Sequence, residues 1–401
     1  MKNYIQTYQS FINEALGVPS NLVSIANQVY NEMMKQPLDR MSYSDLSNST
    51  IKLNGSFVIS DYRAHTINVN YELVKSSKFS ELTLLGAAQR ANQPGLNTKN
   101  LRMVNFDNGE INLSFDWAFP SGGYFRSNDS TAGVELKKYL EKNKAEIISN
   151  LSHEIMHAYQ QYKQRETAIP TRAEYTSNNE LPSQIGIGAM RRLLYYMYFT
   201  SSTENSVRAA EVAGEMDAKN TQQKDFKEFL ISNRTYKTLN EIRGYSYEKF
   251  IGELNMAINY IRDFLGEAWF DDESLMDKRP DKMTDDEAIT QYLRMMMSGI
   301  VNFTREVSSQ ISNSLLSDIY RTNPNSTEFR NLVNRVEKQV NSYGTKEMNM
   351  LDDPSKFFRN KLQNASRQAD LLIRKISKLY AMAKTENAPE TPLEKWKREH
   401  K

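Results

Sequence analysis

The chain has 401 residues, 39% of them hydrophobic, with 51 Lys and Arg against 49 Asp and Glu for a formal net charge of +2. That length can bury one large core or two smaller ones, and the balanced charge argues against a whole-protein grip on nucleic acid. Cys is absent, which excludes disulfides, thiolate nucleophiles, Cys-rich zinc sites and iron–sulfur clusters, while His is confined to His65, His153, His157 and His400.

The N-terminus lacks the apolar run of a signal peptide and reads as a short amphipathic helix, with Ile5, Tyr8, Phe11, Ile12 and Leu16 at helical spacing. Gly17 stops that helix. Ser20 can cap the next, which runs to about Lys35 with Leu22, Ile25, Val29 and Met33 or Met34 inward. From Ile51 to Phe125 the character changes. FVIS, TINVNY, LRMVNF and INLSFDWAF are short, β-rich and partly alternating. VNFDNGEINLSF predicts a hairpin around Asn108-Gly109. SELTLLGAAQRAN fits helix and strand alike.

From Thr131 the period becomes helical, and Glu135 to Tyr162 has few breakers. A polar, Pro-containing connection follows over Arg165 to Gln184. Then come the apolar segment IGIGAMRRLLYYMYF and a helix opening near Ser201 or Ser202. From Thr221 to Lys384 nearly everything reads as helix, and residues 386–401 read as a disordered polar tail. The expected organisation is therefore N-terminal helices over 1–50, a chemistry-bearing domain over 51–220, a helical region over 221–385 and the tail. The expected class is α+β, predominantly helical, with a small mixed or antiparallel sheet. No run of about 18 apolar residues occurs, so no membrane span is expected.

The most informative segment is LSHEIMHAYQQY, residues 151–162, which contains His153-Glu154-Ile155-Met156-His157, or HExxH. On a helix, i and i+4 share a face, so both imidazoles can reach one metal. Glu154 lies about 100° further round the helix, where its carboxylate can approach a water on that metal. Neutral imidazole suits Zn²⁺. Two exposed His beside a Glu is the bland alternative. Against it, half of all the His in the chain fall in this one spacing.

A catalytic zinc needs a third protein ligand and an open position. Gln160 and Lys163 occupy the places that a Gly and a third His would take in the extended HExxHxxGxxH motif, so a carboxylate is expected. The downstream acids are Glu166, Glu174, Glu180, Glu204, Glu211, Glu215 and Asp217. Glu204, in the first turn of TENSVRAAEVAGEM, is preferred. Glu211, two turns later on the same face, is the alternative ligand. An acid in a first helical turn is also favoured simply by the helix dipole.

HExxH followed by a distant helical Glu resembles the gluzincin division of the zincin metallopeptidases. HEIMHAYQQY with YYMYFTSSTENSVRA some 40 residues on looks like the metallopeptidases encoded by tailed bacteriophages. The resemblance covers about residues 100–217 and implies a zincin-like domain: a mixed sheet, an active-site helix and peptide-bond hydrolysis. It implies one catalytic Zn²⁺ on His153, His157 and Glu204, with Glu154 as general base. Arg208 stands where gluzincins often place an Asp four residues after the ligand Glu. Candidate stabilisers of the oxyanion are Tyr159, Tyr175, Tyr198, Arg208 and His65.

The expected partners are a peptide or protein substrate and, if the chain is phage-encoded, other phage or virion proteins, with no membrane and no specific nucleic acid. The expected location is the cytoplasm, that of the host for a phage protein, or the virion. The alternative function is a virion or assembly protein whose metal-site domain is inactive or accessory. A third is a metal-dependent hydrolase acting on something other than peptide. YYMYF and RMMMSG read as core segments.

Overall fold

The computed structural model describes residues 18–19, 21–35, 37–40, 132–163, 186–322 and 353–383, with Thr327 and Asn334, and the backbone of 53–60, 66–75, 95–103 and 110–118. The chain clusters into two compact units. Unit 1 takes Met1–Lys163, Ser206–Lys237 and Arg374–Lys401; unit 2 takes Gln164–Asn205 and Thr238–Ile373.

In unit 1, helix α1 spans Leu22–Met34 and buries Leu22, Ile25, Ala26, Val29, Tyr30 and Met33, one stripe at three- and four-residue steps. Met33 rather than Met34 faces the core. Tyr30 donates its hydroxyl to the Leu140 carbonyl at 3.1 Å, which satisfies the polar end of a buried ring. The helical period expected from Thr131 is carried by two helices, α2 (Ala132–Lys142) and α3 (Lys144–Lys163), with the break at Asn143. The inner face of α3 is Ile147, Ile148, Leu151, Ile155, Met156 and Tyr159.

Four extended backbone segments, β1 (Leu53–Ser60), β2 (Thr66–Lys75), β3 (Gly95–Met103) and β4 (Glu110–Ala118), pair in the order β1-β2-β4-β3. The β1–β2 and β3–β4 pairings are antiparallel and β2–β4 is parallel. Backbone pairing alone does not make a domain class; buried side chains do. Over the part of the chain whose side-chain packing is described, 85% of residues are helical and no strand contributes. Val58, on β1, is exposed. The expected α+β class with a zincin-like, sheet-based domain is therefore corrected: the packed core is helical, and a zincin-like domain is not seen. Alternation in the sequence reports a local extended preference, and it does not establish that the extended segments form a core.

Unit 2 contains α4 (Gly188–Phe199), α8 (Tyr247–Met256), α9 (Ile258–Asp271) and α10 (Asp285–Thr322). Ser246 caps α8 by accepting the Lys249 N–H at 3.2 Å. α4 buries Leu193, Leu194, Tyr196, Met197 and Phe199, so three residues of the YYMYF run are core, while Tyr195 is exposed and Tyr198 half-buried. The 250s and 290s join it through Phe250, Leu254, Tyr292, Leu293 and Met297. Three further helices each cross from one unit to the other along the chain: α5 (Ser202–Ala218), α7 (Arg234–Arg243) and α11 (Pro354–Ser377); α6 (Phe226–Ser232) belongs to unit 1. No described helix is long and apolar enough to cross a membrane. The predicted N-terminal helix, the Asn108-Gly109 turn, the 165–184 connection and the tail lie outside the described residues.

Candidate metal centre

The site is carried by α3 and α5. The helix opening expected near Ser201 is α5, and Ser201 Oγ accepts the Glu204 N–H at 3.3 Å in its first turn. At the other end Asn220 has φ 53°, and the Thr221 N–H reaches the Met216 carbonyl at 3.1 Å, a left-handed stop that Asn tolerates. The boundary between the units falls after Asn205.

Small side chains let α3 and α5 approach closely. Ser149 Oγ donates to the Glu211 carbonyl at 2.9 Å, and Ser152 Oγ donates to Ile148 O at 2.8 Å. Both hydroxyls are therefore satisfied within the buried contact. Gly214 faces them: a Cβ there would stand 3.1 Å from Ile148 O and from Ser152 Cβ, and closer still to Ser152 Oγ. Contacts at 149, 152 and 153 of α3 fall on 211 and 214 of α5, which lines up one turn after another along the two helices.

His153, His157 and Glu204 converge, with one donor atom from each lying within 4.8 Å of the others. The two imidazole rings stand edge to face, 4.8 Å between centroids at 78°. His157 is buried and the Glu204 side chain is 0% exposed. A carboxylate so deep is tolerated where charge or hydrogen bonds compensate it, and a cation between two imidazoles is one such compensation. A tetrahedral Zn²⁺ with bonds of about 2.0–2.1 Å needs donors roughly 3.4 Å apart, so the set, whose donors lie within 4.8 Å of one another, fits after a contraction of up to roughly 1.4 Å. Two nitrogens and one carboxylate oxygen are also the donor types zinc accepts. This buried group can hold a metal ion.

Glu211, the alternative ligand, stands elsewhere in the arrangement. Its Oε2 lies 3.3 Å from His153 Nδ1 and accepts from Arg208 Nη1 at 2.8 Å. Its Oε1 accepts from Thr235 Oγ1 at 3.0 Å. Burial pushes the Glu211 carboxyl up, but the Arg208 charge and the His153 and Arg208 hydrogen bonds outweigh it and hold the group at about 2. An ionised acceptor at Nδ1 keeps the proton on that nitrogen and leaves Nε2 of His153 for a metal, an arrangement common around ligating His. Glu215 is taken up by Asn233 and Lys219, and Asp217 by Asn27.

Glu154 is half-buried on α3 beside the first His. Tyr159 is buried in the α3 core face, and Tyr198 is half-buried on α4. Arg208 holds Glu211. His65, Tyr175, Glu166, Glu174, Glu180 and His400 lie outside the described residues. Sequence reasoning missed Thr235, Ser149, Ser152 and Gly214. The pairing of small residues on the inner faces of two helices was the available signal for the last three.

Comparison with protein-family models, with curated proteins and with solved structures finds no match for this chain.

Proposed function

We propose that the chain is a zinc-dependent metallopeptidase that hydrolyses peptide bonds. The observation that carries this reading is the buried His153, His157 and Glu204 group, formed by an HExxH helix and the opening turn of a second helix. When bound, Zn²⁺ supplies Lewis acidity, polarising a carbonyl and lowering the pKa of water to about 7. His153 and His157 offer neutral nitrogens from one helix face, and Glu204 contributes the negative charge. Glu211 holds the His153 ring by its Nδ1. Glu154, half-buried on the same helical turn as His153, would accept the proton of the attacking water and return it to the leaving amine. Tyr159, Tyr198 and Arg208 have no assigned step.

The test is metal analysis of the purified full chain, followed by cleavage of an unfolded protein substrate with and without a chelator. Wild type should carry about one zinc per chain and lose cleavage on chelation. Glu154→Gln should keep the zinc and lose cleavage. If that variant cleaves like wild type, Glu154 is not the base. If the chain retains zinc and hydrolyses esters but no peptide, the substrate class is wrong. Zinc retention with no hydrolysis, in a chain found as a stoichiometric part of a virion, would favour the assembly role instead.

A further inference from the structure

We propose that the outer face of α9, in unit 2, is a docking surface for a cationic amphipathic helix of a partner protein. The inner side of α9 is conventional, with Ile261 and Leu265 buried. Its outer side is not. Met256, at the end of α8, is 81% exposed, Tyr260 75% and Phe270 93%. Phe264 is 38% exposed and rests edge-on against Tyr292 at 5.5 Å, which fixes its ring. At about 100° per residue, Phe264 lies about 40° to one side of Tyr260 and Phe270 about 80° to the other, so the three span an outer arc of about 120°. Scattered apolar residues need no explanation, but an aromatic stripe along one helix does.

The charges on that face decide the occupant. Asp263, Glu267 and Asp271 are exposed between the aromatic side chains, and Asp272 and Glu273 follow. Arg262 is the single cationic residue between Phe250 and Asp277. It turns away from this face, donating to the carbonyls of Pro280 and Met283 and to Asp285 at 2.8–2.9 Å. The face is thus aromatic and acidic with no base of its own. A second copy would set acid against acid across a two-fold axis and is disfavoured. Nucleic acid and anionic lipid are repelled for the same reason. A helix carrying apolar residues at three- and four-residue steps, flanked by Lys or Arg, satisfies both components at once.

The test is calorimetric titration of the full chain with a synthetic Leu/Lys peptide patterned as an amphipathic helix, and with its Leu/Glu counterpart. The Leu/Lys peptide should bind, weaken with added salt, and exceed the Leu/Glu peptide by at least about tenfold in affinity. Asp263→Lys with Glu267→Lys, and separately Tyr260→Ser with Phe270→Ser, should each weaken it by at least about tenfold while leaving the melting curve and the zinc content unchanged. Equal binding of both peptides, or binding indifferent to the paired substitutions, overturns the proposal. So does a dimer in sedimentation that Phe270→Ser dissociates, which would make a second copy the occupant. Binding to phosphatidylcholine vesicles that the Tyr260→Ser, Phe270→Ser pair abolishes would make it a membrane. None of these results bears on the metal centre, which lies on other helices.

Discussion

Adding one methyl group at Gly214 should separate the two helices that carry the metal ligands. Alanine is worth up to about 1 kcal/mol more than glycine in a helix interior. Against this, the new Cβ would meet the Ile148 carbonyl oxygen and Ser152 Cβ at 3.1 Å, with Ser152 Oγ nearer still. Two of these neighbours are fixed by the α3 backbone, so relief requires helix displacement, and overpacking of this kind costs about 1–3 kcal/mol. Gly214→Ala should therefore lose up to about 2 kcal/mol, a fall of about 2–4 °C in melting temperature for each kcal/mol. Zinc affinity, measured by competition with a chromophoric chelator, should fall by about tenfold or more as the ligands move apart. Gly266→Ala is the control. It adds the same methyl to a helix with nothing within 4 Å and should raise the melting temperature. Ser152→Gly combined with Gly214→Ala moves the Cβ from one helix to the other and should recover part of the zinc affinity. If Gly214→Ala melts as high as Gly266→Ala and holds zinc like wild type, the close approach of α3 and α5 does not set the site.

Glu211→Ala should weaken zinc binding by about 10–100-fold, because His153 loses the acceptor that fixes its tautomer; chelator competition reads this, and unchanged affinity would refute the assignment. The same substitution leaves the Arg208 charge without its Glu211 partner and should cost about 2–4 kcal/mol in chemical denaturation. Glu211 is held at about 2 against an ordinary value of 4.5, so its folded-state pKa is depressed. Its stabilisation is complete above the ordinary value and disappears as pH falls toward 2. In metal-free protein the stability gap between wild type and Glu211→Gln should therefore close across that window, and a gap independent of pH would contradict it. Tyr292 is buried, and its hydroxyl has no hydrogen-bond partner among the described residues. Tyr292→Phe should be neutral or stabilise by about 1 kcal/mol, and a loss in thermal melting would show a missed partner.

HExxH declared the candidate metal helix because i and i+4 share a face on any helix, whatever surrounds it. Glu154 between the two His is legible for the same reason. Glu204 and Glu211 could not be separated in this way. Seven residues apart, they share a face equally well but stand about 10 Å apart along the axis. Their assignment depends on how far α5 slides along α3, where Gly214 faces Ser152. The slide puts Glu211 on the Nδ1 side of His153 and gathers Glu204 with both imidazoles.

The helical stripes of α1, α3 and α4 were readable because each buries residues at the period of its own backbone. The β-rich stretch taught the opposite lesson. Alternation there marks extended backbone, yet the core is built by helices, so a motif-based resemblance did not carry the domain class with it. Sequence alone determined local geometry and the chemistry of each side chain. Tertiary structure decided which of two equivalent carboxylates gathers with the two imidazoles and which lies beside His153 Nδ1, because distance along a neighbouring helix is a property of packing and not of periodicity.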